Sequence, residues 1–479
     1  MASKNKNLAE LLDANGDVLL SNLDNINVYD VDTTSTGSFT LPKGTTAQRP
    51  TGSLLFKGAQ RYNTELNVYE YYNGNDWLKI SAEQTRLNSI SGDIWTEVET
   101  TLTLTGQGFL TDDITVNFTQ SSDGIDEDVT VTPSSDTSAT VTVPSAVYNN
   151  VTAGNDVLIT ATNSDGTTSS ALTKTANGIA TGGTRTISGS TVTHIYTASS
   201  SSTFVAPSNI TGADVLLVGA GGGGSGAFAG GGGAGGVVYA SNYTISANTY
   251  NVQVGAGGTG GIGWENQDQM YGTDGGDTTG FGWTASGGGG GSSFRGGASY
   301  GTATRGVHYA RDGGCGGGGS SAHSDMPVWE GGDSDQQSFS GTTTYGTDGG
   351  NGNPSANTYS VYLGGGGGGA SQSGRHYNDS TRPGGGGNGI DLSSTFGTSV
   401  GDTGVFAGGG GAGNQNTAGG YGAGGTGGGT DGTNSTIKAS DATANTGGGG
   451  GGGGYSGSSN SQLGGNGGSG VIIVKYTVS

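Results

Sequence analysis

Asp214-Val-Leu-Leu-Val-Gly219-Ala-Gly-Gly-Gly-Gly224 is the stretch from which the rest of the chain is read. A short apolar run, the right length for a buried strand, passes directly into glycine. The chain closes on the reverse pattern, Gly470-Val-Ile-Ile-Val-Lys-Tyr476. Two such runs suit each other as sheet partners, which would close the intervening region on itself. Between them glycine recurs in blocks, including Gly230 to Gly233, Gly287 to Gly291, Gly316 to Gly319, Gly364 to Gly369, Gly408 to Gly411 and Gly447 to Gly454.

Glycine fills 105 of 479 positions, against roughly 7 % in an average protein. With 8 prolines and no Gly-X-Y period, collagen is excluded. Fixing a residue's backbone costs about 1–2 kcal/mol, and glycine has no side chain to bury in return. Such blocks are therefore either flexible linkers or backbones whose amides find dense partners. Polyglycine II is the ordered solution. It is a left-handed helix of three residues per turn with outward amides, advancing about 3.1 Å per residue. Without Cβ atoms these helices can approach closely and bond one another. Blocks packed side by side would form a stiff slab, with the intervening segments emerging as loops.

Composition sets further bounds. Net charge is −21, which disfavours nucleic acid and anionic membrane surfaces as partners. The lone Cys315 excludes an internal disulfide and a cysteine zinc site. No apolar run approaches the ~18 residues of a membrane helix, and the N-terminus lacks a signal-peptide core. The expectation is a soluble acidic protein without a secretion signal. At the N-terminus, Leu8-Ala-Glu-Leu-Leu12 is too short to hold a helix alone and should be ordered by a neighbouring chain.

Upstream of about Gly178 the sequence has the look of ordinary β protein. Leu41-Pro-Lys-Gly-Thr-Thr-Ala-Gln-Arg-Pro50, Gln60-Arg-Tyr-Asn63, Leu66-Asn-Val-Tyr-Glu-Tyr-Tyr72, Asn73-Gly74 and Trp77-Leu-Lys-Ile80 read as a small β-meander with tight turns. From Leu87 to about Ala176, short strands separated by turn signals indicate a two-sheet sandwich. They are Leu102–Thr105, Ile114–Phe118, Val129–Thr132, Ala139–Val143 and Asp156–Ala161.

Three resemblances follow from these residues. The segment from Thr45 to Trp77 resembles a module of phage tail fibres. Thr105-Gly-Gln-Gly-Phe109, Val143-Pro144 and Thr162-Asn-Ser-Asp-Gly-Thr167 resemble an IPT/TIG domain, an immunoglobulin-like spacer. The region from about Thr203 to Ser479 resembles the glycine-rich domains of phage fibre proteins and tail-tip adhesins. The expected fold is mainly β. It comprises an N-terminal attachment segment (1–40), a β-meander (41–86), an immunoglobulin-like sandwich (87–177), a linker with short strands (178–202) and a glycine-rich distal domain of packed polyglycine II helices (203–479).

Several motifs invite other readings. The Gly219–Gly224 stretch matches the glycine pattern of a dinucleotide site, but the following Ser225-Gly-Ala-Phe-Ala-Gly-Gly cannot make the required helix. No zinc spacing links His194, His308, His323 and His376. Thr273-Asp-Gly-Gly-Asp277 and Thr347-Asp-Gly-Gly350 have the flavour of calcium turns without filling an EF-hand loop, and solvated turns are the favoured reading. No catalytic constellation stands out, so an enzyme is not expected, nor is any cofactor or metal.

Large side chains concentrate in the inserts. They are Trp264, Tyr271, Phe281 and Trp283; Phe294, Arg295, Tyr300, Arg305, His308, Tyr309 and Arg311; His323 and Trp329; and Arg375, His376 and Tyr377. Aromatic and arginine side chains dominate binding hot spots, so these are the candidate receptor-binding residues. The bland alternative is that they fold inward and plug gaps. The resemblance implies a homotrimeric virion fibre, made in the host cytoplasm. It would attach to other virion proteins through its N-terminus and grip a host polysaccharide or outer-membrane protein. The rival readings are a structural head fibre or decoration protein without a specific receptor, and a bacterial surface adhesin.

Overall fold

The computed structural model describes residues 41–478 apart from 53–54, 81–84, 110–111, 198–200, 263–268, 294–308, 322–328, 355–361, 378–381, 415–419, 435–436 and 455–462. The fold is mainly β, in two compact units, residues 1–83 and 84–479. In the first unit, strands Lys43–Gly44, Gln60–Asn63, Val68–Tyr72 and Trp77–Lys79 pair in that order, giving the expected meander. Its signature residues form a buried polar network. Arg49 Nη2 lies 2.7 Å from Glu70 Oε2, Asn63 Nδ2 donates to the same carboxylate, and Arg61 donates to the carbonyls of Thr45 and Gln48. Burial opposes ionisation of Glu70, but the bonds from Arg49 and Asn63 and the charges of Arg49 and Arg61 hold its pKa below the ordinary carboxylate range.

The second unit begins with the sandwich. Arg86–Ser91, Thr101–Gln107 and Ser138–Thr142 form one sheet. Ile94–Trp95, Ile114–Gln120, Ile125–Val131, Asp156–Thr162 and Leu172–Asn177 form the other. Leu102, Leu104 and Val141 from the first meet Val116, Phe118 and Ile159 from the second in one core. Gly106 is required by closeness: a Cβ there would stand 2.0 Å from the Arg86 carbonyl oxygen and 2.7 Å from the Phe109 ring.

The two apolar runs that bracket the glycine blocks do pair. Ile210–Val218 lies antiparallel to Val471–Thr477, with Val215 opposite Val474. Around them the sheet runs Thr184–Ser188, Thr191–Tyr196, Val471–Thr477, Ile210–Val218, Val237–Ile245, Thr343–Tyr345. The first two of these strands fall in the expected linker 178–202. The linker is thus part of the distal domain's own sheet, because Thr191–Tyr196 gives Val471–Thr477 a second partner.

At Val215–Val218 and Val471–Val474 the two central strands are covered on both faces, which explains why they are continuous apolar runs rather than alternating ones. Val215, Leu217, Ile472 and Val474 pack against a four-stranded sheet of Ser201–Ala206, Asn248–Gln253, Thr278–Gly280 and Trp283–Ala285. Leu216, Val218, Val471 and Ile473 pack against Leu392, Phe396 and Phe406. Phe281 and Trp283, expected at a receptor surface, instead belong to the first core. They pack against Phe204, Tyr250 and Tyr243, with 7–8 % of their surface exposed. The physical reason is that the Gly280–Trp283 turn folds this hairpin over the sheet, and these two rings cover it.

Beyond the sheet the glycine blocks form a lattice. Run 219–226 repeats its bonding every third residue. The N–H groups of Gly219, Gly222 and Ser225 donate to carbonyls of Gly236, Gly233 and Gly230; those of Ala220, Gly223 and Gly226 donate to Gly276, Thr273 and Met270; those of Gly221 and Gly224 donate to Gly468 and Gly465. Its own carbonyls accept from runs 258–261, 288–291 and 450–453. The run therefore donates to three neighbours and accepts from three others, the threefold pattern of a polyglycine II helix in near-hexagonal packing. Run 230–236 repeats the arrangement. It donates to 286–292, 365–368 and 447–450, and accepts from 219–225, 315–318 and 410–413.

No glycine between 219 and 236 has positive φ. Proximity, not backbone conformation, demands glycine here. A Cβ on Gly222 would lie 2.3 Å from the Gly289 carbonyl oxygen, and one on Gly232 would lie 2.1 Å from that of Gly222. Gly232→Ala is expected to cost about 1–3 kcal/mol or more through overpacking against immovable backbone. Gly385→Ala, whose nearest obstacle is the Ala423 carbonyl oxygen at 3.2 Å, should cost far less. Denaturant melts of the two variants check the contrast.

A histidine is sealed in the sheet beside Tyr476. His194 is fully buried, its Nδ1 lies 2.8 Å from the Gly182 carbonyl, and its ring stacks on Tyr476. Burial lowers its pKa below the ordinary 6.5, the Gly182 bond opposes this, and the Arg185 charge adds to the lowering. As pH falls below the unfolded value, the unfolded chain takes up a proton that the folded chain refuses. Stability is then complete above that value and declines as pH falls toward the folded pKa. Unfolding midpoints between pH 7.5 and 5 should show this slope, and His194→Phe should flatten it.

Candidate functional site

Because each run spans the slab and turns back, outbound and inbound runs alternate. Near the sheet they are joined by Val237–Gln253, by the Thr278–Ala285 hairpin, by Thr343–Tyr345 and by the segment from Ile390 to Phe406. On the opposite side the described chain departs after residues 262, 293, 321, 354, 377, 414, 434 and 454. It re-enters at 269, 309, 329, 362, 382, 420, 437 and 463. All these insertion points share the face remote from the sheet. There Ala227, Phe228, Met270 and Tyr362 form a small apolar plug, with Phe228 and Tyr362 edge to face at 4.9 Å.

Runs at the lattice rim lack a neighbour on one side, and side chains take its place. Asp277 Oδ1 accepts the Gly287 N–H at 2.8 Å, and Asp274 Oδ1 accepts that of Gly290 at 2.9 Å. Asp348 and Asn351 do the same for Ser334 and Gly331, both at 2.8 Å. In each pair the two residues are three apart, so they share one face of a three-residue helix. The Asp274-Gly-Gly-Asp277 and Asp348-Gly-Gly-Asn351 segments are thus rim caps, and no cluster of metal-ligating side chains occurs among the described residues.

At this rim three inbound runs enclose a cleft of about 550 Å³, lined by Asp274, Tyr309, Arg311, Asp312, Glu330 and Asp333, among others. Arg311 Nη1 lies 3.0 Å from Asp274 Oδ2, and its guanidinium carbon sits 5.0 Å from the centre of the Tyr271 ring. Tyr271, Tyr309, Arg311 and Trp329 are all half-buried. The cleft offers carboxylate acceptors beside a guanidinium and aromatic rings, a combination suited to hydroxyl-rich or peptide ligands rather than to anions.

The structure brings Tyr271, Tyr309 and Arg311 together, with Trp329 adjoining Glu330 at the same rim. Arg375 and His376 are exposed on another run, where His376 Nδ1 accepts the Asn351 N–H at 2.8 Å and the Tyr377 N–H donates to the Asn351 carbonyl. Trp264, Phe294, Arg295, Tyr300, Arg305, His308 and His323 lie outside the described residues. Sequence reasoning missed Asp274, Asp312, Glu330 and Asp333. For Asp274, the three-residue spacing to Asp277 was the available signal. Cys315 is buried in its run, and burial pushes its thiol pKa up to about 12, leaving it no nucleophilic role.

A family profile described as a glycine-rich domain matches residues 197–477, which includes the strand pair 210–218 and 471–477 and the whole lattice. No curated protein matches the chain.

Asp274→Ala removes the acceptor of the buried Gly290 N–H and should destabilise the domain by about 1–2 kcal/mol. Asp333→Ala, whose side chain is exposed in the cleft, should leave stability nearly unchanged. Thermal unfolding of the two variants checks this.

Proposed function

This chain belongs to the glycine-rich domain family, and from that premise we propose that it is a phage virion fibre protein that adheres to the host cell surface through loops carried on the glycine lattice. The observation that carries the reading is the shared face of the insertion points. A scaffold cross-bonded in three directions gathers the insertion points of many segments at one end, beside a cleft of aromatic, arginine and carboxylate side chains. A stiff frame lowers the entropy lost when a loop grips a ligand, and aromatic and arginine residues are the strongest contributors to such contacts.

In this reading the sandwich is an IPT/TIG-like spacer, the N-terminal segment attaches to other virion proteins, and the fibre is a homotrimer. The receptor is a host polysaccharide or outer-membrane protein. The net charge of −21 opposes capture by simple attraction to the anionic envelope, so short-range contacts must supply affinity and specificity.

The labelled full-length chain should bind host cells saturably. Combined Arg311→Ala and Trp329→Ala substitutions should weaken binding about tenfold or more without lowering the melting temperature appreciably. Periodate sensitivity of the cells would mark a polysaccharide receptor, and protease sensitivity a protein. Absence of saturable binding, together with normal adsorption of virions lacking the chain, would leave the structural-fibre reading standing instead.

A further inference from the structure

The sandwich and the glycine domain do not meet through a free linker. The sandwich's last strand, Leu172–Asn177, leads directly into Gly178, and Thr181 already bridges Val205 of the glycine domain. At Gly178 the two bodies touch. A Cβ there would stand 2.8 Å from the Ala153 methyl of the sandwich and 2.9 Å from the Pro207 ring of the glycine domain. Any side chain at this position would act as a wedge between them.

A loop of the sandwich crosses the same joint. Ile94 and Trp95 pair with Ala176 and Asn177, and the Thr96 N–H donates to the Asn177 carbonyl at 2.9 Å. Glu97 then turns the chain through the left-handed region, at φ +62°, its N–H bonded to the Tyr148 carbonyl at 2.7 Å. Its carboxylate pairs with Arg185 on the edge strand Thr184–Ser188. A residue other than glycine keeps that conformation only where its surroundings impose it. The turn delivers Val98 to the apolar core of the glycine domain instead of that of the sandwich. There Val98 is 1 % exposed, in the cluster that holds Ile179, Ala180, Tyr476 and Val478, with Trp95 packed against it.

The same cluster bears on the lattice. The Ala180 N–H donates to the Tyr476 hydroxyl at 2.9 Å. Tyr476 belongs to Val471–Thr477, and the run just before that strand donates from Gly464, Gly465, Gly467 and Gly468 to Gly261, Gly451, Gly258 and Gly448. Neighbouring domains of one chain move independently unless an apolar interface ties them. Here the tie is a buried valine, and it acts on a strand that anchors one end of the lattice.

We propose that residues 94–98 form a latch that closes the glycine domain's core, so that sandwich and lattice behave as one rigid, cooperative unit. The sandwich is then no freely hinged spacer. It fixes the direction in which the face of insertion points is held, and its unfolding opens the lattice. The inference rests on the joint alone and is independent of the receptor reading.

Cys315 makes this measurable, since it is the chain's only cysteine and is fully buried in its run. In the full-length chain, pulse labelling of Cys315 along a urea series gives the lattice midpoint. Amide exchange in Ile114–Gln120 gives that of the sandwich. The two midpoints should coincide. Val116→Ala, in the sandwich core and away from the joint, should lower both by the same amount. Val98→Asp should bring the Cys315 midpoint below that of the sandwich, and in that background Val116→Ala should no longer move it. If Val98→Asp prevents folding, Gly178→Ala should produce the same separation. If Val116→Ala unfolds the sandwich without urea, Cys315 should label without urea as well. A Cys315 midpoint unmoved by Val116→Ala in the native background, or Cys315 protected beside an unfolded sandwich, overturns the proposal. Coincident midpoints in the folded Val98→Asp or Gly178→Ala chain overturn it equally.

Discussion

A glycine N–H bonded to the carbonyl of another run, and repeated toward the same neighbour every third residue, is the constraint on which the distal domain depends. In a sheet such bonds lie in one plane and leave two faces for side chains to cover. In the lattice they radiate in three donating and three accepting directions, so the main chain is its own core. A net gain of roughly 0.5–1.5 kcal/mol per bond must meet a backbone cost of about 1–2 kcal/mol per residue. The margin is narrow. The lattice therefore begins where an apolar sheet has already fixed its ends: Val218, one residue before run 219–226, stands opposite Val237, one residue after run 230–236.

The same bond explains the acidity. An interior run finds carbonyls on every side, whereas a rim run does not, and a buried N–H without an acceptor is costly. Aspartate and asparagine are short acceptors that reach across one missing neighbour, as Asp274, Asp277, Asp348 and Asn351 do. A rim built this way is negative wherever aspartate is used. Part of the chain's net charge thus has a structural origin, separate from whatever the cleft engages.

The sheet that frames the lattice was legible because its strands are apolar runs at both ends of the glycine region, and bracketing runs have little choice of partner. The threefold packing followed from glycine's missing Cβ and the lack of any other way to satisfy so many amides. Phe281 and Trp283 read wrongly for a definite reason. In a region poor in side chains, an aromatic pair gives the same local signal whether it faces solvent or core. What decides it is a hairpin folding onto Phe204 and Tyr243, neither of them a sequence neighbour. Asp274 and Asp277 showed their spacing openly, but its meaning depends on knowing that the helix repeats in three. The Thr45–Trp77 motif could be recognised, yet nothing in its residue types announces that Arg61 and Glu70 turn inward while Tyr69 and Leu78 turn out.

Amide hydrogen exchange resolved along residues 219–236 and 447–454 tests the lattice most directly. Cross-bonded runs should exchange slowly and together, with protection comparable to that of the Ile210–Val218 and Val471–Thr477 strands. Exchange of these glycines at the rate of an unstructured peptide, with the strands still protected, would mean that the glycine region is a tether hung from a sheet and not a scaffold.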